Sequence, residues 1–257
     1  MELFGFDLQA ILPYVLVGFA AQIIDGALGM AFGVISQTLL VSVLGVAPAA
    51  ASASTHLVEV FTTGTSGASH IWQRNVDWAL FRRLVPFGVA GGVLGAYLLT
   101  SIDASVAKPF VMVYLTGVGL YLFFKSFNFN RHALRDPKTT RPLALVGGFL
   151  DAAGGGGWGP VVTSNLLIQG GDPAKIVGTV NTSEFLLALS ISIAFILTLG
   201  LEAFGVATLG MIIGGVLAAP LGALVVRRIQ PATLLRAVSI VLIATSAFAV
   251  WKAWPIL

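Results

Sequence analysis

Apolar residues run along most of this chain in stretches of membrane-spanning length, and the polar positions between them recur in order. Residues 9–44 form one apolar tract interrupted at Asp25–Gly33. At about 1.5 Å of rise per residue, the tract is too long for one span and just short of two. It predicts a helix, a break and a second helix. Pro48 then opens a helix to about residue 70 that carries Ser52, Ser54, Thr55, His56, Glu59, Thr62 and Thr63. A loop over 72–78 leads into a span at 79–99, a turn from Asp103 to Lys108, and a span at 108–126. Residues 127–142, with Arg131, Arg135, Lys138 and Arg141, are the one real linker.

The same order then returns. A broken tract covers 143–170, Pro173 opens a polar helix with Thr179, Asn181, Thr182, Ser183 and Glu184, and spans follow at 204–226 and 232–253. Asp25 pairs with Asp151, Phe32-Gly33 with Trp158-Gly159, Pro48-Ala49 with Pro173-Ala174, and Glu59 with Glu184. The offset is nearly constant, so a tandem duplication is expected, 1–126 against 143–257 with 127–142 between. The clearest break is Asp151-Ala-Ala-Gly-Gly-Gly-Gly-Trp-Gly-Pro160. Glycine costs about 1 kcal/mol against alanine inside a helix and proline roughly 3, so this run cannot be a straight helix. Broken backbone survives in lipid only where protein buries it or a cavity meets it.

Composition sharpens the class. The chain is 57% hydrophobic and 10% charged, with a mean hydropathy of +0.94. Soluble domains carry about 25% charged residues, so this is an integral membrane protein, and helices are its default element. The segment Met1–Asp7 has no basic n-region, so no cleaved signal peptide is expected. Zero cysteines exclude disulfides and thiol chemistry. Basic residues cluster at 71–83, 127–142 and 227–236, whereas the turns at 45–48, 100–106 and 199–204 are almost free of them. Placing the basic loops in the cytoplasm turns the second half upside down relative to the first. The fold expected is an all-α polytopic membrane protein of two inverted repeats, each a broken Gly-rich helix hairpin plus three transmembrane helices.

Candidate chemistry lies at the breaks and on the polar helices. Asp25, Glu59, Asp151 and Glu184 all sit in apolar surroundings, where an ionisable residue is costly and points to function. Two readings of the aspartates stand side by side: caps on half-helices, or proton carriers. Glu59 and Glu184 read as coupling or gating residues. Gly29 and Phe32, Gly155, Gly156, Gly157 and Trp158 would bring backbone donors to a small anion, with Ser54, His56, Thr179 and Asn181 adding side-chain donors. Close packing of small residues and hydrogen bonds between helices compete with this reading. Gly64-Thr-Ser-Gly67 matches a short intramembrane protease motif but has no histidine on a neighbouring helix, so no enzyme is expected. Gly154–Gly157 lacks the strand and Gly-Lys-Ser/Thr of a nucleotide loop. No metal site, cofactor or nucleic-acid partner is expected.

The Gly-rich, Asp-containing first span, Pro48-Ala49 before a polar helix, and Arg74-Asn-Val-Asp-Trp78 leading into Gly91-Gly-Val-Leu-Gly-Ala96 together resemble the sulfite exporter TauE/SafE family. The second half, with its glycine run ending in Pro160, is similar to the same family. That resemblance implies a multi-pass carrier in the cell (inner) membrane for sulfite, sulfoacetate or a related sulfur-containing anion, with export the expected direction. A passive anion channel and a carrier of another small organic anion are the alternatives. The partners expected are a small anionic substrate and the lipid bilayer, and a homodimer is compatible with the sequence.

Overall fold

The computed structural model describes residues 2–3, 6–28, 30–127, 137–169, 172–228 and 231–253. After a two-residue antiparallel ladder between Glu2–Leu3 and Phe6–Asp7, the chain is helical. The first half comprises α1 (Leu8–Leu28), α2 (Phe32–Thr38, running into a π turn Leu39–Val43), α3 (Pro48–Trp72), α4 (Trp78–Ser101) and α5 (Ala104–Lys125). The second comprises α6 (Arg141–Gly154), a π turn Trp158–Thr163 continued by α7 (Ser164–Ile168), α8 (Pro173–Leu199), α9 (Val206–Arg228) and α10 (Pro231–Ala253).

Local chemistry sets the boundaries. Pro48 and Pro173 occupy first-turn positions, where no N–H is missed. Asp77, Asp103 and Asp172 cap α4, α5 and α8 by accepting from backbone N–H groups at 2.8–3.1 Å. The Asp103 cap starts α5 at Ala104, earlier than the turn to Lys108 expected from the sequence. Pro109 lies inside α5, past its first turn, where the helix forgoes one backbone hydrogen bond. Gly155, at φ 77°, is the left-handed residue that ends α6.

Three helices are long and apolar enough to cross a membrane by length and composition: Trp78–Ser101, Ala104–Lys125 and Ala174–Leu199. Their outward faces carry large exposed apolar side chains such as Leu94, Phe110, Val113 and Leu197. Lipid is the natural neighbour of that surface, and this is a multi-pass membrane protein.

Glycines decide which helices meet, because they let backbones touch. A Cβ on Gly91 of α4 would strike the Leu145 carbonyl of α6, and one on Gly95 would strike Phe149. Likewise Gly210 of α9 lies against Ile11 and Tyr14 of α1, and Gly214 against Val15 and Phe19. Residue numbers rise together in both pairs, so α4 runs parallel to α6 and α1 parallel to α9. Where Gly67 meets Thr182 and Gly64 meets Phe185, the numbers run opposite, and α3 is antiparallel to α8. Gly119 against Ile243, and Ser126 accepting from Arg236 Nε at 3.2 Å, make α5 antiparallel to α10.

Both broken tracts are hairpins. Gly33 lies beside Glu59, and Gln37 Nε2 donates to the Pro48 carbonyl at 3.1 Å, so α2 descends α3 to the end where α3 begins. The N–H groups of Lys138 and Thr139 both donate to Gln169 Oε1, at 3.0 and 3.1 Å, tying the two ends of the second hairpin together. The near-neutral turns converge at one end of the bundle around a cavity of about 310 Å³, lined by Ala47–Ala50, Leu99, Thr100, Ile102 and Leu199 among others. At the other end Lys175 Nζ donates to the Arg74 carbonyl at 2.7 Å, and Asp77 N–H donates to Thr179 Oγ1 at 2.8 Å.

The packing yields a paired test. Gly91→Val places a side chain on the Leu145 backbone, and overpacking of this kind costs about 1–3 kcal/mol. A fall of several degrees in apparent melting temperature is expected in detergent. Gly117→Val, where an added Cβ meets nothing within 4 Å, should melt like wild type. Equal melting of the two variants would contradict the assigned α4–α6 contact.

Candidate functional site

The two breaks face each other across the middle of the bundle. Gly33 lies against Gly155 and Gly156, and Gly159 against Met30. Between them is a crevice with about 20 Å³ of room for water centres, enough for roughly one water molecule. Its lining includes Asp25, Glu59, Asp151 and Glu184, contributed by α1, α3, α6 and α8. Phe32, Gly33, Thr62, Thr63, Gly156 and Asn181 complete much of the wall, and no lysine or arginine takes part among the described residues.

The aspartates are built in by the backbone. Asp25 Oδ1 accepts from the N–H groups of Ala31 at 2.8 Å and Phe32 at 3.2 Å. Asp151 Oδ1 accepts from Gly157 at 2.7 Å and Trp158 at 2.9 Å. In each half a carboxylate in the last turn of the first arm thus caps the first turn of the returning arm. A helix start leaves N–H groups without intrahelical partners, and in lipid each must be satisfied inside the protein. Capping explains why an aspartate precedes each break.

That geometry changes the expected role of the glycine run. The N–H groups of Phe32, Gly157 and Trp158 are engaged by the aspartates, so they are not open donors in this conformation. Gly155 packs on Gln37, and Gly156 packs on the Val34 backbone at φ 154°. A leucine at either place would first displace α2, so loss of binding there would not isolate a ligand contact. Trp158 is fully buried beside Gly88 and Gly147, with Nε1 donating to the Val180 carbonyl at 3.3 Å. It anchors the break to α8 from outside the crevice.

Of the remaining candidates, Phe32, Gly156 and Asn181 line the crevice. Ser54 is buried in α3 with no partner for its hydroxyl among the described residues. Thr179 lies near the start of α8, where its hydroxyl donates to the Lys175 carbonyl at 2.6 Å. Gly29 lies outside the described residues. His56 is buried next to the crevice, with Nδ1 2.8 Å from the Ser52 carbonyl and Nε2 3.3 Å from Asp151 Oδ2. Glu59 differs from the aspartates, since its buried carboxylate has no hydrogen-bond partner among the described residues. Gly67 of the protease-like motif simply marks the crossing of α3 and α8.

Tyr114 of α5 and Gln37 of α2 were not among the sequence candidates. The Tyr114 hydroxyl donates to the Gly156 carbonyl at 2.7 Å, and its ring packs on Gly154. A tyrosine deep in an apolar span usually finds a partner when buried, which was the available signal.

The family model for sulfite exporter TauE/SafE matches residues 14–249. The chain belongs to the TauE/SafE family. It is also similar to the "Probable membrane transporter protein YtnM" of Bacillus subtilis (strain 168), at 41% identity over 87% of this chain and 77% of that protein. No solved structure matches. As a TauE/SafE member the protein is a membrane transporter rather than an enzyme, and the carboxylate crevice lies within the matched span.

Replacing either aspartate tests the caps. Asp25→Ala and Asp151→Ala each strand two N–H groups at a cost of about 1–3 kcal/mol per orphaned group. Both should lower the apparent melting temperature more than the corresponding Asn variants, which keep an acceptor. An alanine variant as stable as wild type would remove capping as the reason for the carboxylate.

Proposed function

We propose that this TauE/SafE member is a secondary transporter that exports a small sulfur-containing anion, sulfite or an organosulfonate such as sulfoacetate, by alternating access. The carrying observation is the convergence of four carboxylates from four helices on one crevice between the two breaks. The sulfur anion comes from the family, whose printed description is a sulfite exporter. An anion entering a crevice lined by carboxylates and, among the described residues, by no lysine or arginine needs compensating positive charge. Protons on the glutamates are the simplest source, and they link anion and proton movement through one coupling free energy. Glu59 and Glu184 fit that role better than the aspartates, whose oxygens are occupied by the backbone.

The halves 1–126 and 143–257 act in this reading as inverted repeats. Exchange of the halves turns the α1–α9 contact into the α6–α4 contact, while α3 meets α8 and α5 meets α10 antiparallel, as a two-fold axis in the membrane plane requires. The basic end of the bundle faces the cytoplasm.

Two measurements test the reading. In liposomes, Glu59→Gln and Glu184→Gln should still bind sulfite but lose accumulation driven by a pH gradient. Gradient-driven flux equal to wild type in both variants would remove the glutamates from coupling, and flux that follows voltage alone would indicate a channel. Single cysteines at Arg74 and Lys138 should resist an impermeant thiol reagent added outside intact cells, while cysteines at Ile102 and Gly200 react. Outside labelling at Arg74 would overturn the orientation.

A further inference from the structure

We propose that His56, Glu59 and Asp151 form a cation site at the edge of this crevice, taking one divalent first-row metal ion of the zinc type through one imidazole nitrogen and two carboxylate oxygens. The proposal rests on the crevice being the transport site and names a counter-charge that it can hold.

The histidine carries the first argument. Its Nδ1 lies 2.8 Å from the Ser52 carbonyl, which can only accept, so Nδ1 bears the hydrogen. In the neutral ring Nε2 then presents a lone pair toward Asp151 Oδ2, 3.3 Å away. Two electron-rich atoms facing each other in a buried site call for a cation beside both. Histidines that bind metals commonly donate their other ring N–H to a carbonyl in this way. The aspartate is oriented as well, because its Oδ1 is held by Gly157 and Trp158 while Oδ2 is free to ligate.

Glu59 supplies the second, independent argument. It is 5% exposed and lines the crevice, yet no hydrogen bond or ion pair reaches its carboxylate among the described residues. A buried carboxylate without a partner is costly, and a cation removes that cost. One ligand atom from each of the three residues lies within 4.8 Å of the other two. The 3.3 Å separation of Nε2 and Oδ2 already suits the edge of a tetrahedron with metal–ligand bonds of about 2.0–2.1 Å. Glu59, the longest and least constrained of the three, closes the set by a change of rotamer.

The donor set selects the ion class. Imidazole favours zinc and its neighbours, whereas magnesium and calcium prefer all-oxygen shells. A divalent ion balances Glu59 and Asp151, and three protein ligands leave a coordination position open, as in zinc sites that bind substrate or water. An oxyanion oxygen could occupy it. The competing arrangement is a proton on Nε2, making a plain His56–Asp151 ion pair that takes no metal.

The test uses the full chain purified in detergent, freed of metal with a chelator and dialysed to equilibrium against Zn²⁺ without added anion. One Zn²⁺ per chain is expected, with affinity weakened roughly tenfold or more in H56Q and E59Q. E202Q, on an exposed turn, should bind like wild type. Zinc-edge X-ray absorption of the wild type should show one imidazole among oxygen ligands, a readout independent of how the variants fold. Absence of saturable binding, unchanged affinity in folded H56Q and E59Q, or a shell without imidazole would each overturn the site. Zn²⁺ binding with that shell upholds it even if sulfite fails to bind. Sulfite binding to a protein that takes no Zn²⁺ overturns it and leaves the transport reading intact.

Discussion

A hydrogen bond to every backbone N–H that lies away from water is the requirement from which this architecture follows. Hydrocarbon supplies no partner, so a helix that stops halfway across must have its free ends satisfied by the protein itself. Here each stop is met by one carboxylate, Asp25 for Ala31 and Phe32, Asp151 for Gly157 and Trp158. Burying two aspartates is the consequence, and their negative charge is offset by the positive ends of the returning half-helices. The crevice therefore begins as a solution to a backbone problem. Only then do Glu59 and Glu184, which solve no backbone problem, add further carboxylates to the same place.

The breaks also hold each other. Gly155 and Gly156 lie on Gln37 and Val34 of the opposite hairpin, and Gly159 lies on Met30. Gln37 continues the chain of contacts to the start of α3 through the Pro48 carbonyl, while Tyr114 reaches Gly156 from α5. A shift of one hairpin must be felt by the other through these close backbone contacts, because close-packed interfaces have few intermediate arrangements. The outer helices are fixed separately, by glycine-mediated approaches of α1 to α9 and α4 to α6. The first arm of each hairpin is thus clamped to a span from the opposite half.

Much of this was readable in one dimension. The broken tracts, the proline starts of α3 and α8, and the recurrence of aspartate and glutamate are all linear patterns. Pro160 and the glycine run announce a break because their local costs are intrinsic to the backbone. What the pattern could not convey is direction. Trp158 looked like a ligand contact, yet its ring turns away into the pocket made by Gly88 and Gly147. Glycine donors looked open because nothing in their spacing reveals that the preceding aspartate folds back onto them. His56 and Asp151 are far apart in sequence, and their pairing appears only once α3 and α6 are packed. The early start of α5 at Ala104 is set by the Asp103 cap on Ser105.

Charge placement then divides labour among the four carboxylates. Asp25 and Asp151 are constrained, since moving either would uncap a half-helix in lipid. Glu59 has no hydrogen bond to lose among the described residues, so it can change protonation, ligand or rotamer without dismantling a hairpin. Asp151 stands between the two classes, with one oxygen committed to the break and the other facing His56. One side chain thereby joins the backbone of the second hairpin to His56 of α3.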